Sequence, residues 1–370
     1  MHIGIDCRLP TYQMGGISQY TIHLIQALGT LGAESRYSIF HSRRERRSFV
    51  PKKDNFSRSD LWTPCHYRLE RYTLAAELSW RDLDVFHSPD FIPPVAGAKR
   101  RIITVHDLTF MYYPEFLTPE SRRYYLDQIG WAVSAADHII ADSEATRMDL
   151  VKLLNVNAEK VTTIYLAANP IHSRDISPEE VEETVEALQI GRGFVLVVGT
   201  LEPRKNIPML LNAYKQLRMG HRIAVPLILV GSRGWLDTEI FQTIGQLGLD
   251  NHVLHLSGLT DLQLAHLYRA AGVLAFPSSY EGFGLPALEA MYAGCPVVVS
   301  NRGSLPEVVG EAAVVLEPDD VDGWAEALWH VLSDREYAQS LKVAGLEQAQ
   351  QFSWAKTAAA TAAVYAGGED

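Results

Sequence analysis

Short apolar runs recur along this chain, and each is followed at once by polar or turn residues. In the first half they are His2–Asp6, Val85–His87, Arg101–Val105, His138–Ala141 and Val161–Tyr165. In the second half they are Phe194–Val198, Pro226–Val230, Val253–Leu256, Val273–Phe276, Pro296–Val299 and Ala313–Leu316. Helical spacing of apolar residues fills the gaps, as at Ile17, Tyr20, Leu24, Leu28 and Leu31, or over Ile207–Leu217 and Leu262–Ala270. Runs that stay apolar instead of alternating suit strands buried on both faces of a parallel sheet. Two consecutive sets of this kind predict two doubly wound α/β domains. The chain has 370 residues, which suits two domains at about 100–200 residues each. The expected domains are 1–170 and 190–352, joined by a linker over 171–189. That linker holds Glu179, Glu180, Glu182, Glu183 and Glu186, which read as a solvated helix face. In this architecture ligands bind beyond the carboxyl ends of the strands.

Composition narrows the function classes. The net charge is −11, which speaks against general nucleic-acid binding. The net negative charge lies after residue 170, since residues 1–170 hold 20 basic and 19 acidic groups and residues 171–370 hold 13 and 25. Cys7, Cys65 and Cys295 are too few and too scattered for a disulfide framework or a metal cluster, and fit a reducing compartment. No apolar run reaches the ~18–20 residues needed to cross a bilayer. Asp6 and Arg8 stand where a signal peptide would be apolar. A soluble, cytoplasmic protein is therefore expected.

Four segments at expected strand ends carry chemistry. In FPSSYEGFGLPALEAMYAGCP, a loop with Glu281, Gly282, Phe283 and Gly284 leads into a helix with Pro286 near its start. A flexible loop before a helix N-terminus leaves N–H groups for an anion. Glu289 follows about two turns on, so two carboxylates span the anion site, which suits a nucleotide diphosphate sugar; the plainer reading is a phosphate-binding helix with two incidental glutamates. The same segment matches the dinucleotide fingerprint G-x-G-x-x-A, but no acid ends the next strand, which weakens a nicotinamide reading. In Gly199–Asn206, Arg204 and Lys205 follow a strand and could neutralise a diphosphate without a metal. Gly15 and Gly16 permit close backbone approach. His106 ends another strand. Asp82/Asp84 and Asp320/Asp322 match D-x-D only formally, and no zinc spacing is present, so no metal is expected.

Together GGI at 15–17, HDL at 106–108, ADSEATRMDL at 141–150, GTLEPRKN at 199–206 and EGFGLPALEA at 281–290 resemble glycosyltransferase family 4. SLPEVVGEAAV at 304–314 and FSW at 352–354 are similar to that family too. The resemblance covers nearly the whole chain. It implies a GT-B fold, two Rossmann-like domains facing a cleft, with a final helix near 353–368 crossing back to the first domain. It further implies a retaining, metal-independent hexosyltransferase of surface polysaccharide synthesis, without a cofactor. Arg204 and Lys205 would hold the donor diphosphate, and Glu281 the donor sugar, beside the N–H groups of Phe283, Gly284 and Leu285. Glu289 would bind the ribose. His106 would meet the sugar from the other domain, with Gly15 and Gly16 near the diphosphate. GDP-mannose ranks first as donor and a UDP-hexose second. The acceptor would be a glycan or a polyprenyl-linked glycan. A non-catalytic nucleotide-sugar-binding protein is the alternative outside enzymology.

The acceptor half matches nothing specific between Arg36 and Leu78. Residues 36–58 hold eight basic and two acidic groups, with Phe40, Phe49, Phe56 and then Trp62 interleaved. This reads either as a solvated loop or as a landing patch for anionic membrane.

Overall fold

The computed structural model describes residues 1–221, 223–234 and 236–367. It divides into two compact units, Met1–Leu166 with the segment from Ser353 onward, and Ala167–Phe352.

The first unit is built on a seven-stranded sheet, paired parallel throughout. Its strands are β1 (His2–Asp6), β2 (Arg36–Ser42), β3 (Phe56–Leu61), β4 (Leu83–Ser88), β5 (Ala98–Val105), β6 (His138–Ala141) and β7 (Val161–Thr163). The spatial order is β3-β2-β1-β4-β5-β6-β7. Strands β2 and β3 fall where the sequence suggests a loop. Their basic residues hid them: Phe40 and Phe56 point into the core, while Arg36 and Ser57 face solvent. Strand β3 pairs on one side only, so its Arg58 and Asp60 are tolerated at the edge. Of the interleaved aromatics, Phe40 and Phe56 are core, Phe49 is half-buried and Trp62 is exposed. Arg47 pairs with Glu45, and Arg58 donates to the carbonyl of Arg47 at 2.7 Å.

Of the first formal D-x-D, Asp84 serves this unit structurally, and Asp82 turns the chain at φ +48°. Asp84 accepts the His2 N–H at 2.8 Å and pairs with Lys99 at 2.7 Å. The helix Trp354–Ala366 packs along the helix Gly16–Leu28. The Tyr365 hydroxyl lies 2.7 Å from Nδ1 of the buried His87. Residue 368, the expected end of this helix, lies outside the described residues.

The second unit holds a six-stranded parallel sheet in the order β10-β9-β8-β11-β12-β13. These are β8 (Val195–Val198), β9 (Leu227–Val230), β10 (Val253–Leu256), β11 (Val273–Phe276), β12 (Val297–Ser300) and β13 (Val314–Leu316). Strands β8, β9, β11 and β12 are buried at every position, as expected where helices cover both faces. The expected linker is instead part of this unit. Pro178–Ala187 is a helix, closed by a capping box between Ser177 and Glu180. Val181 and Val185 are buried, and Glu179, Glu182, Glu183 and Glu186 face solvent. Asp320, from the second formal D-x-D, caps the helix Val321–Ser333 by accepting the Gly323 N–H.

Candidate active site

In the second sheet the strand order reverses between β8 and β11. Such a reversal opens a crevice at the strand carboxyl ends, and the loops after these two strands carry both expected motifs. After β8 the chain turns at Gly199, with φ +140°, and reaches a tight turn over Pro203–Lys205. Asn206, left-handed at φ +52°, closes that turn and donates to the carbonyl of Pro318. After β11 comes Glu281, then the helix Leu285–Tyr292. Ser279 N–H donates to the Arg204 carbonyl at 2.7 Å and locks the loops together.

Lys205 and Glu281, 76 positions apart, meet as a buried pair at 2.7 Å. Arg204 reaches the other oxygen of Glu281 at 2.7 Å and Glu202 at 2.5 Å. Glu202, Lys205 and Glu281 are all buried. Burial alone would raise the Glu281 carboxyl, but Arg204 and Lys205 hold it down to about 2. Burial and the neighbouring Arg204 lower the Lys205 ammonium, and ionised Glu281 opposes them. The Lys205 Nζ also lies 4.6 Å from the centroid of the Phe276 ring. A Cβ on Gly199 would sit 3.0 Å from the Lys205 side chain, so this glycine makes the lysine's slot. The sequence suggests a basic pair open to an anion. The structure partners both cations with carboxylates, so an incoming diphosphate shares them.

Glu289 lies on the helix that Glu281 precedes. Tyr268 donates its hydroxyl to one carboxylate oxygen at 2.9 Å, and the buried His172 ring stands 3.6 Å from the other. Gly284, at φ +91°, begins the helix where a Cβ would meet Leu305 at 2.5 Å. Phe283 is buried edge-on against Phe352.

The first sheet reverses between β1 and β4. Gly15 caps the helix after β1, and a Cβ on Gly16 would meet nothing within 4 Å, so backbone there faces open space. His106 follows β5. Its Nδ1 lies 2.5 Å from Asp142, just past β6, and its Nε2 lies 2.7 Å from the Pro89 carbonyl. Burial disfavours the charged ring, yet Asp142 prevails and raises His106 to about 9. The imidazolium can donate to both oxygens. Where the sequence suggests a ring open to a sugar, both nitrogens are committed. Among the described residues, no group of three or more His, Cys, Asp or Glu is placed to hold a metal ion.

Residues 14–170 match the model of Glycosyltransferase Family 4, and residues 180–348 that of Glycosyl transferases group 1. The chain is 34% identical over 367 residues to O-antigen chain mannosyltransferase B of Escherichia coli, covering 93% of each. The chain belongs to glycosyltransferase family 4. The fold agrees. Sucrose-phosphate synthase from Thermosynechococcus elongatus superposes with a TM-score of 0.79 at 20% identity, covering 99% of this chain and 98% of its own. Anabaena HepE, in complex with UDP and glucose, superposes at 0.78 with 20% identity, covering 99% and 100%. Both units of this glycosyltransferase are therefore the Rossmann-like halves of a GT-B enzyme.

Several neighbours of the expected residues escaped the motif reading. Glu202 stands inside the motif around Arg204, and Asp142 ends the strand beside His106. Aligning adjacent strand ends would have exposed Asp142. Tyr268 and His172 carry no such signal. The glycosyltransferase also depends on Gly303, at φ +58°, where a Cβ would lie 2.2 Å from the Glu281 carbonyl. That carbonyl accepts the Ser304 N–H at 3.0 Å. Gly303→Ala is expected to cost at least ~2 kcal/mol, since clash and strained backbone add. Urea unfolding checks this; wild-type stability would refute it.

Proposed function

We propose that this enzyme is a retaining, metal-independent hexosyltransferase that moves mannose from GDP-mannose to a glycan or polyprenyl-linked glycan in surface polysaccharide synthesis. The cluster of buried Lys205 and Glu281 with half-buried Arg204 at a sheet's switch point carries the reading. Its two cations, shared with Glu202 and Glu281, are held where a diphosphate would leave and can donate to it, which is the role a metal would otherwise fill. The name of the E. coli relative supports mannose and a polysaccharide product.

In this reading Arg204 and Lys205 hold the diphosphate with the N-terminus of the helix Leu285–Tyr292. Glu281 binds donor sugar hydroxyls, beside the N–H groups of Phe283, Gly284 and Leu285, and Glu289 binds the ribose. Gly15 and Gly16 let backbone approach the donor, and His106 contributes positive charge near the sugar. An acceptor hydroxyl attacks the anomeric carbon from the face the nucleotide leaves. The bond from that carbon to the phosphate oxygen breaks, the diphosphate keeps its electron pair, and its oxygen takes the acceptor proton.

Thermal-shift titration tests the donor. A nucleotide sugar at ~100 times its Kd should add about 2.7 kcal/mol. GDP-mannose should shift unfolding more than UDP-glucose, and EDTA should leave transfer unchanged. A shift with UDP-hexoses alone would replace the donor. Loss of activity in EDTA, restored by Mn²⁺, would reverse the metal reading.

A further inference from the structure

Glu289 stands on the helix Leu285–Tyr292 with its side chain 15% exposed, so it can be reached by a ligand. Its supports come from two other elements of the same unit. Tyr268 lies near the end of the helix Asp261–Ala270 and is buried. His172 lies on the turn Pro170–Ser173 and is buried too.

The Tyr268 hydroxyl donates to Oε2 of Glu289 at 2.9 Å. Burial, with the Glu289 carboxylate beside it, pushes that hydroxyl well above its ordinary range, so it keeps its proton and its role as donor. Nε2 of His172 stands 3.6 Å from Oε1, and its ring meets the Tyr268 ring edge-on at 5.3 Å. Nδ1 of His172 is buried and has no partner among the described residues. An orphaned lone pair is tolerated better than an orphaned N–H. The tautomer with its proton on Nε2 is therefore favoured, and it turns a donor toward Glu289.

The frame around these two side chains is tied down. Arg269 donates to the carbonyls of His172 and Arg174, each at 2.8 Å. Asn169, which caps the turn, donates to Asp261 at 3.1 Å. His266, on the same helix as Tyr268, is hydrogen-bonded to Thr184 at 2.6 Å.

We propose that Tyr268 and His172 are positioning residues that fix the Glu289 carboxylate against a vicinal diol, and so make this site select ribonucleoside over 2′-deoxyribonucleoside diphosphates. A carboxylate oxygen that accepts one bond still has a lone pair for a ligand hydroxyl. A carboxylate approached by a donor at each oxygen cannot swing to suit a sugar with one hydroxyl fewer. A site built to hydrogen-bond a hydroxyl rejects the analogue that lacks it, because its own polar group is left unpaired. The proposal rests on Glu289 as the ribose contact. It does not depend on which base or hexose the donor carries.

Titration calorimetry with GDP, UDP and their 2′-deoxy forms tests it without catalysis. Wild type should bind the tighter ribonucleotide at least ~10-fold more strongly than its 2′-deoxy form, the scale of one hydrogen bond to a charged group. Tyr268→Phe keeps the ring and its packing. It should weaken the ribonucleotide about tenfold and scarcely affect the 2′-deoxy form, so that discrimination collapses. In a Glu289→Ala background the same change should cost nothing further, whereas a merely structural tyrosine would add its loss. His172→Phe should lose part of the discrimination and His172→Gln, which restores a donor, should recover it. Thermal unfolding checks that each variant is folded, and Tyr268→Phe decides alone where a His172 variant is not. Unchanged discrimination in folded Tyr268→Phe overturns the proposal, as does absence of discrimination in wild type or an undiminished loss on top of Glu289→Ala. Wild-type affinity in Glu289→Ala would overturn the ribose contact and the proposal together. Discrimination seen with UDP and no binding of GDP would leave the proposal standing and replace the donor.

Discussion

Lys205→Ala is expected to lower turnover at least ~100-fold, the scale of losing one preorganised electrostatic stabiliser. Glu281→Gln should do the same for a different reason. It keeps the side chain's shape but leaves the Lys205 ammonium buried without its anion, against Arg204. Removing one partner of a buried pair costs ~3–5 kcal/mol where nothing else compensates, so folding must be read beside activity. Circular dichroism and thermal unfolding should show both variants folded at assay temperature while single-turnover transfer at saturating donor collapses. Lys205→Arg should not rescue, because the slot between Gly199 and Phe276 admits a compact ammonium and not a planar fork. Near-normal turnover in folded Lys205→Ala and Glu281→Gln would remove the cluster from catalysis. Acid offers a second view. Glu281 is held near 2, below its ordinary 4.5, so its contribution is complete above ~4.5 and fades as pH falls toward ~2.

The His106–Asp142 pair should make stability fall at alkaline pH. His106 is raised from 6.5 to about 9 in the folded chain. The folded state therefore binds its proton more tightly than the unfolded one. The stabilisation is complete below ~6.5 and is lost as pH rises through ~9, amounting to about 3 kcal/mol. Urea unfolding of wild type and His106→Gln across this range isolates the effect as their difference. The difference should shrink steadily from pH ~6.5 to ~9. A constant difference would mean that the ring is neutral in the fold and that Asp142 does not charge it.

The strands that could be read from sequence are those buried on both faces. VLVV at 195–198 and VLAF at 273–276 have no polar position, so their character does not depend on context. RYSIFHS and FSRSDL were missed because polar residues interrupt them: Arg36, Ser38, His41 and Ser42 in the first, the last two buried, and four of the six positions in the second, which is open along its middle. Glu179–Glu186 was legible as a solvated face, since local pattern decides which side of a helix meets water. That this helix belongs to the second unit was not legible, because two buried valines and a cap do not say what they pack against.

The candidate site divides along the same line. Residue type and position after a strand sufficed to single out Arg204, Lys205, Glu281 and His106. Charge, donor count and strand-end placement are local properties, and sequence alone determines them. Pairing is not local. That Lys205 meets Glu281 across 76 positions follows from β8 and β11 being neighbours in the sheet, an order set by how helices cover both faces. That His106 is spent on Asp142 follows from β5 lying beside β6. Only the tertiary structure decided which charges are buried together, and burial turns an ordinary lysine and glutamate into a fixed electrostatic device, because charges removed from water must be matched by their neighbours.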